Sequence, residues 1–135
     1  MEKKVFICPI KAMGKQRPGF NSHTKHAYTQ TKTRDFEDKV RAYYLSQFTE
    51  EPSYEGAIVL KITVNKKPAE SFSEKKKQAM MGMPCTIKPD WDNIGKIVCD
   101  ALNGYAYKDD KQVYNGQVIK THGNHDQIIV EIEYE

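Results

Sequence analysis

The sequence predicts a single α+β domain over residues 1–135, with a mixed β-sheet of about four strands and two main helices packed on it. Three observations lead there. Residues 54–65 and 127–134 alternate apolar and polar side chains with the period of two that half-buried strands require. Residues 34–48 and 93–103 space their apolar side chains as helices do. A chain of 135 residues is the size of one ordinary domain, long enough to bury a core without disulfides, and it contains no internal repeat, low-complexity tract or linker.

Composition narrows the class. The chain is 39% hydrophobic and 29% charged, which describes a soluble globular protein on the polar side. No apolar run approaches the ~20 residues of a membrane span. No signal-peptide core follows Met1-Glu2-Lys3-Lys4, so a cytoplasmic location without membrane contact is expected. Cys8, Cys85 and Cys99 are odd in number and share no metal-ligand spacing, which predicts reduced thiols rather than a zinc site. His23/His26 and His122/His125 are two His-x-x-His pairs; they read as loop histidines, because no cysteine or acid completes a tetrahedral set.

The formal charge of +3 is unevenly spread. Lys3, Lys4, Lys11, Lys15, Arg17, Lys25, Lys32 and Arg34 face only Glu2 and Asp35, whereas Asp126, Glu131, Glu133 and Glu135 follow the last base, Lys120. A basic front with an acidic cluster elsewhere suits a protein that attracts phosphates and carries out metal chemistry on them.

In chain order, residues 5–10 form a short strand closed by Pro9. Residues 11–33 are polar and have no burying period, so an extended loop or ribbon is expected. Phe20 and Tyr28 lie there among Arg17, Lys25, His26 and Lys32. That interleaving fits a nucleic-acid surface, where stacking and phosphate contacts cooperate; it equally fits a solvated loop with two rings folded onto the core. Thr33 is placed to cap a packing helix that buries Phe36, Val40, Tyr43 or Tyr44 and Phe48, with Asp35–Lys39 and Glu37–Arg41 as outer-face pairs. Glu50-Glu51-Pro52-Ser53 breaks that helix.

Ile58, Leu60, Ile62 and Val64 make the most apolar strand face, ended by Lys66-Lys67-Pro68. Ser71 and Glu74 have capping-box spacing before a short helix over 73–80. Its Lys75, Lys76 and Lys77 are either a DNA-facing ridge or a solvated face. Two final strands, 113–121 and 127–134, flank the turn residues His122-Gly123-Asn124-His125-Asp126, and a β-hairpin is the expected pairing.

The chemistry concentrates between Lys88 and Val113. Asp90, Asp92, Asp100, Asp109 and Asp110 fall within one short segment of a net-basic chain. Ile94, Ile97, Val98, Ala101 and Leu102 define the buried side of a helix from about 93 to 103, and Asp92, Lys96 and Asp100 form a stripe on the other side. Pro89 favours an extended Lys88 and places Asp90 outside the helix. In extended backbone Asp90 and Asp92 would point the same way, with Trp91 directed into packing. Carboxylates held so close call for a cation or a shared proton. Hard oxygen donors suit Mg²⁺, with Mn²⁺ as substitute, over zinc. Asp109 and Asp110 begin the next strand and could return as further ligands, to one metal or to two spaced ~3.5–4 Å apart. The plainer possibility is that Asp90 or Asp92 caps the helix, Asp100 pairs with Lys96, and Asp109-Asp110 are turn residues.

Lys88-Pro-Asp-Trp-Asp-Asn-Ile-Gly-Lys96, then Asp100-Ala-Leu-Asn-Gly104, then Lys108-Asp-Asp-Lys-Gln-Val113 resembles the signature of RusA-type Holliday junction resolvases. The resemblance covers most of the chain, with its specificity in residues 88–113. It implies that Asp90, Asp92 and Asp110 are the metal-binding catalytic aspartates. It implies that Lys96 is a lysine required for cleavage, while Asp100 and Asp109 are supporting. It further implies a Mg²⁺-dependent homodimer that resolves four-way DNA junctions by paired symmetric nicks, in DNA recombination and repair, in proteins often encoded by prophages. Lys11, Lys15, Arg17, Lys25, Lys32, Lys75, Lys76 and Lys77 are the candidates for holding DNA arms. A flap or single-strand metal nuclease would also need the aspartates. A non-catalytic DNA-binding module would need only the basic patch.

Overall fold

Ile58, Leu60, Ile62 and Val64 point to one side of a nine-residue strand, and all four are buried. The sheet grows around that strand. The computed structural model describes residues 2–28 and 30–135. It contains β1 (Glu2–Cys8), β2 (Gly19–Asn21), β3 (His26–Tyr28), α1 (Thr31–Leu45), β4 (Ile58–Lys66), α2 (Glu74–Met80), α3 (Trp91–Leu102), a 3₁₀ turn (Asp110–Gln112), β5 (Val113–His122) and β6 (Gln127–Tyr134). The main sheet has the order β1-β6-β4-β5, with β4 and β5 parallel and the other pairs antiparallel; β2 and β3 form a separate two-stranded ribbon. The fold is therefore the expected α+β class with a mixed four-stranded sheet.

The expected hairpin between the last two strands does not form. β6 pairs with β4 and β1, and β5 lies on the far side of β4. Burial explains the choice. β6 buries Ile128, Val130, Ile132 and Tyr134, so it requires a neighbour on each side. On β5 only His122 is buried, whereas Tyr114 and Ile119 are exposed, which suits an edge. The connecting residues pass across the end of β4: Gly123 N–H donates to Lys66 O at 3.1 Å, and Lys67 N–H donates to Asp126 Oδ1 at 2.9 Å.

One face of the sheet carries both long helices. Phe36, Val40 and Tyr44 of α1 and Ile94, Ile97, Val98, Ala101 and Leu102 of α3 pack with Phe6, Cys8 and the inward residues of β4 and β6. The helix predicted from residue 34 begins earlier, at Thr31, with Gln30 as N-cap. Thr33 is not the cap. It is buried, and its hydroxyl donates to Gln16 Oε1 and accepts Gln16 N–H. The expected pairs on the outer face are replaced too: Arg41 turns to Asp38 and to Ala101 O, and Glu37 is taken by Lys15. Helix α2 is capped by Ser73, whose side chain accepts Lys76 N–H, rather than by Ser71.

Candidate active site

Asp90 is the N-cap residue of α3, extended at φ −68° and ψ 146°, but its carboxylate makes no capping bond. The carboxylate has no hydrogen-bond or ion-pair partner among the described residues. Asp92 lies inside the first turn, and its Oδ1 accepts only the Asn93 N–H, at 3.0 Å. Both carboxylates are exposed. The helix starts two residues before its expected beginning, so strand-like alternation does not relate Asp90 to Asp92, and Trp91 is not directed into packing. Its indole is 62% exposed. Trp91 and Asp92 line a groove of about 210 Å³ between α3 and the edge strand, floored by Leu60, Ile62, Val113 and Val118. The helix approaches β5 closely here, since a Cβ on Gly95 would stand 3.3 Å from Val118 Cγ2.

The 3₁₀ turn brings the second acidic pair back toward α3. Asp109 is committed locally: its Oδ1 accepts Lys111 N–H at 3.0 Å, and Gln112 Oε1 accepts Asp109 N–H at 3.0 Å, a reciprocal capping box. Asp110 is half-buried, and its carboxylate pairs with no cation among the described residues. Its position is reported by its neighbours. Tyr107 donates from its hydroxyl to Cys99 O at 2.7 Å and lies 3.3 Å from Cys99 Sγ. Burial pushes both groups' pKa values up, and the negative charges of Asp110 and Asp100 add to it. The charges of Asp110, from the 3₁₀ turn, and of Asp100, near the C-terminal end of α3, thus both reach Cys99 and Tyr107. Among the described residues no three His, Cys, Asp or Glu side chains are gathered closely enough to hold a metal ion. The donor set still has the chemistry of a Mg²⁺ site, because Mg²⁺ uses one or two carboxylates and leaves other positions to water and phosphate.

Lys96 stands one turn beyond Asp92, largely exposed, and donates to Asp100 Oδ1 at 3.2 Å. Asp100 Oδ2 accepts from Lys15 at 2.8 Å, and Lys15 also donates to Glu37 Oε2 at 3.0 Å. Lys15, expected on the DNA-binding surface, therefore has its charge engaged inside the fold. Sequence spacing gave no signal of this, since 85 positions separate Lys15 from Asp100.

Residues 9–133 match the family model described as Endodeoxyribonuclease RusA. The chain belongs to the RusA family. It is also 33% identical over 125 residues to the uncharacterized protein YqaN of Bacillus subtilis (strain 168), an alignment covering 90% of this chain and 87% of YqaN. The match spans the basic ribbon, α3 and the closing strands, so the acidic site and the basic surface lie within one RusA-family unit.

The basic surface of this RusA-family chain divides in two. Lys11, Arg17, Lys25 and Lys32 are exposed, and none has a side-chain partner among the described residues. The same is true of Lys75, whereas Lys76 lies over the Phe72 ring and Lys77 pairs with Glu70 and Glu74. Phe20 and Tyr28 are 64% and 51% exposed on the ribbon, so neither ring folds onto the core. Sequence reasoning missed Lys66 and Lys88. With Lys11 and Lys15 they line an open groove of about 500 Å³ whose wall includes Asp90. The adjacency of Lys88 to Pro89-Asp90 was the available signal. Among the described residues no helix is long and apolar enough to cross a membrane.

Proposed function

We propose that this protein is a Mg²⁺-dependent endodeoxyribonuclease that resolves four-way DNA junctions by paired symmetric nicks, acting as a homodimer in recombination and repair in the cytoplasm. The observation that carries the reading is that Asp90, Asp92 and Asp110 have no cationic partner among the described residues of a chain of net charge +3, while Lys11, Lys66 and Lys88 line the groove at Asp90. An unpaired carboxylate beside unpaired lysines, with two more unpaired acids in the same segment, suits a site completed by a divalent cation and a DNA phosphate.

Asp90, Asp92 and Asp110 would hold the metal, which supplies Lewis-acid activation of water and neutralisation of phosphate charge when bound. The chain's own residues do the rest. Lys11, Lys66 and Lys88 draw the backbone into the groove, and Arg17, Lys25 and Lys32 follow an arm along the ribbon. Lys96 places its ammonium on the same helix stripe as Asp92, where it stabilises the negative charge that grows on the phosphorus oxygens. In the reaction a water oxygen bonds to phosphorus and loses a proton. The bond from phosphorus to the 3′ oxygen breaks and that oxygen takes up a proton, leaving 5′-phosphate and 3′-hydroxyl ends. A junction offers two equivalent strands and each chain offers one site, so a two-fold dimer matches the substrate's symmetry.

The test is incubation of purified protein with synthetic four-way junction, flap and linear duplex, in Mg²⁺ or in EDTA. Symmetric paired nicks in the junction alone, lost in EDTA, are expected. Preferential flap cutting contradicts junction resolution, and a monomeric mass at micromolar protein contradicts paired cleavage.

A further inference from the structure

The segment from residue 12 to 17 is not a free loop. Lys15 N–H donates to Asn93 O at 3.3 Å, and Gln16 is hydrogen-bonded to the buried Thr33 through both its N–H and its side chain. Gly14 passes so close to α3 that a Cβ there would stand 3.0 Å from Asn93 Cβ. The segment is a strap lying across α1 and α3, and the β2–β3 ribbon continues from it. Its one charged attachment among the described residues is Lys15, held by Glu37 of α1 and Asp100 of α3.

Those three side chains are largely shielded, at 24%, 12% and 19% exposure, and they carry two negative charges against one positive. Lys96 restores neutrality through the second oxygen of Asp100. The result is a continuous line of alternating charge, Glu37–Lys15–Asp100–Lys96. An exposed lysine paired with a single mobile carboxylate is only weakly held, because both long side chains must be ordered for one exposed ion pair. Asp100 is different, because Lys15 already fixes it.

We infer that Asp100 is a positioning residue for Lys96, and that Lys15 and Glu37 act through Asp100 to aim the Lys96 ammonium. This rests on the nuclease reading above. Removing the Lys15 charge leaves Glu37 and Asp100 facing each other, with Lys96 the one cation among the described residues still paired to them, so Lys96 is drawn inward, away from Asp92. The strap that carries the DNA-binding ribbon is thereby tied to the residue that acts at the phosphate. Lys15 itself makes no contact with DNA.

Single-turnover cleavage of a saturated four-way junction, junction affinity as a function of salt, and the NMR signals of the lysine ammonium groups test this together. In Lys15→Met and in Asp100→Asn the cleavage rate of bound junction should fall about tenfold or more, the scale of a displaced electrostatic group. Affinity should stay within about twofold, and the slope of log affinity against log salt should not change, whereas loss of one phosphate contact lowers that slope by about 1. The double variant should be no slower than either single one, since both break the same line. Lys15→Arg should restore most of the rate, and it stands as the decisive variant if Lys15→Met unfolds. Wild-type cleavage in Asp100→Asn, or a reduced salt slope in Lys15→Met, overturns the inference. If the wild-type protein cuts no junction, the nuclease reading fails instead. The Lys96 ammonium signal then decides the positioning claim alone: it should shift in Lys15→Met, and an unshifted signal overturns it.

Discussion

Asp109 and Gln112 cap each other across one turn, the Asp109 N–H donating to Gln112 Oε1 at 3.0 Å while the Asp109 carboxylate turns back onto the same turn. Gln112 also donates to Tyr54 O and Gly56 O, both at 3.0 Å, and so fastens the turn to the chain leading into β4. The consequence is a division of labour between adjacent acids. Asp109 builds the turn, and Asp110 is left facing α3. Asparagine also serves as an N-cap. Asp109→Asn should therefore keep both the fold and most of the cleavage activity, while Asp110→Asn should keep the fold and lose cleavage by about 100-fold or more. Junction cleavage and thermal melting of the two variants check this; equal losses in both would contradict it.

The ribbon presents its aromatic rings to solvent. Phe20→Ala removes little buried surface, so melting should change little, while junction affinity should fall by about 1–3 kcal/mol if the ring stacks on a base. A gel-shift titration measures this, and unchanged affinity would assign the ring no part in binding.

Alkaline pH should act on Lys15. Burial lowers its pKa, but the hydrogen bonds it donates to Asp100 and Glu37 outweigh that effect and hold it above the ordinary 10.5. A raised folded-state pKa stabilises the protein fully below the unfolded value, and the contribution is lost as pH rises through the folded value. The melting temperature of the wild type should therefore fall toward that of Lys15→Met as pH passes above 10.5. A gap that stays constant through this range would show that the pairing is not what the charge does.

The support beneath the site is ordinary core. Ile97 is fully buried between α3 and the sheet, and Ile97→Ala should cost about 2–5 kcal/mol by loss of burial and creation of a cavity. Denaturant unfolding measures it. Cleavage at low temperature should survive, because the residue belongs to the core beneath the site.

What was legible in the sequence was what local pattern specifies. The alternation of Ile58, Leu60, Ile62 and Val64 and the spacing of Ile94, Ile97, Val98, Ala101 and Leu102 were read correctly, because each segment's buried face is written in its own residues. Strand pairing was not. The short link between β5 and β6 favoured a hairpin, but which strand takes the centre depends on the total apolar face each offers, and β6 offers more than β5. Trp91 was misplaced because the start of α3 was set two residues late, which changes the direction of every side chain at the entrance. The line from Glu37 to Lys96 was invisible for a different reason. It is assembled from three distant segments, and lysines that read as a uniform DNA surface divide into free ones and engaged ones only when the strap is folded against α1 and α3.

In the proposed function the unpaired acids Asp90, Asp92 and Asp110 form the cleavage centre of a junction resolvase. The most direct measurement is Mg²⁺-initiated single-turnover cleavage of a preformed four-way junction complex, with wild type and Asp92→Asn side by side. Paired symmetric nicks are expected from the wild type, and from Asp92→Asn intact junction that remains bound. Cleavage by Asp92→Asn at the wild-type rate, or release of the junction by that variant, would contradict it.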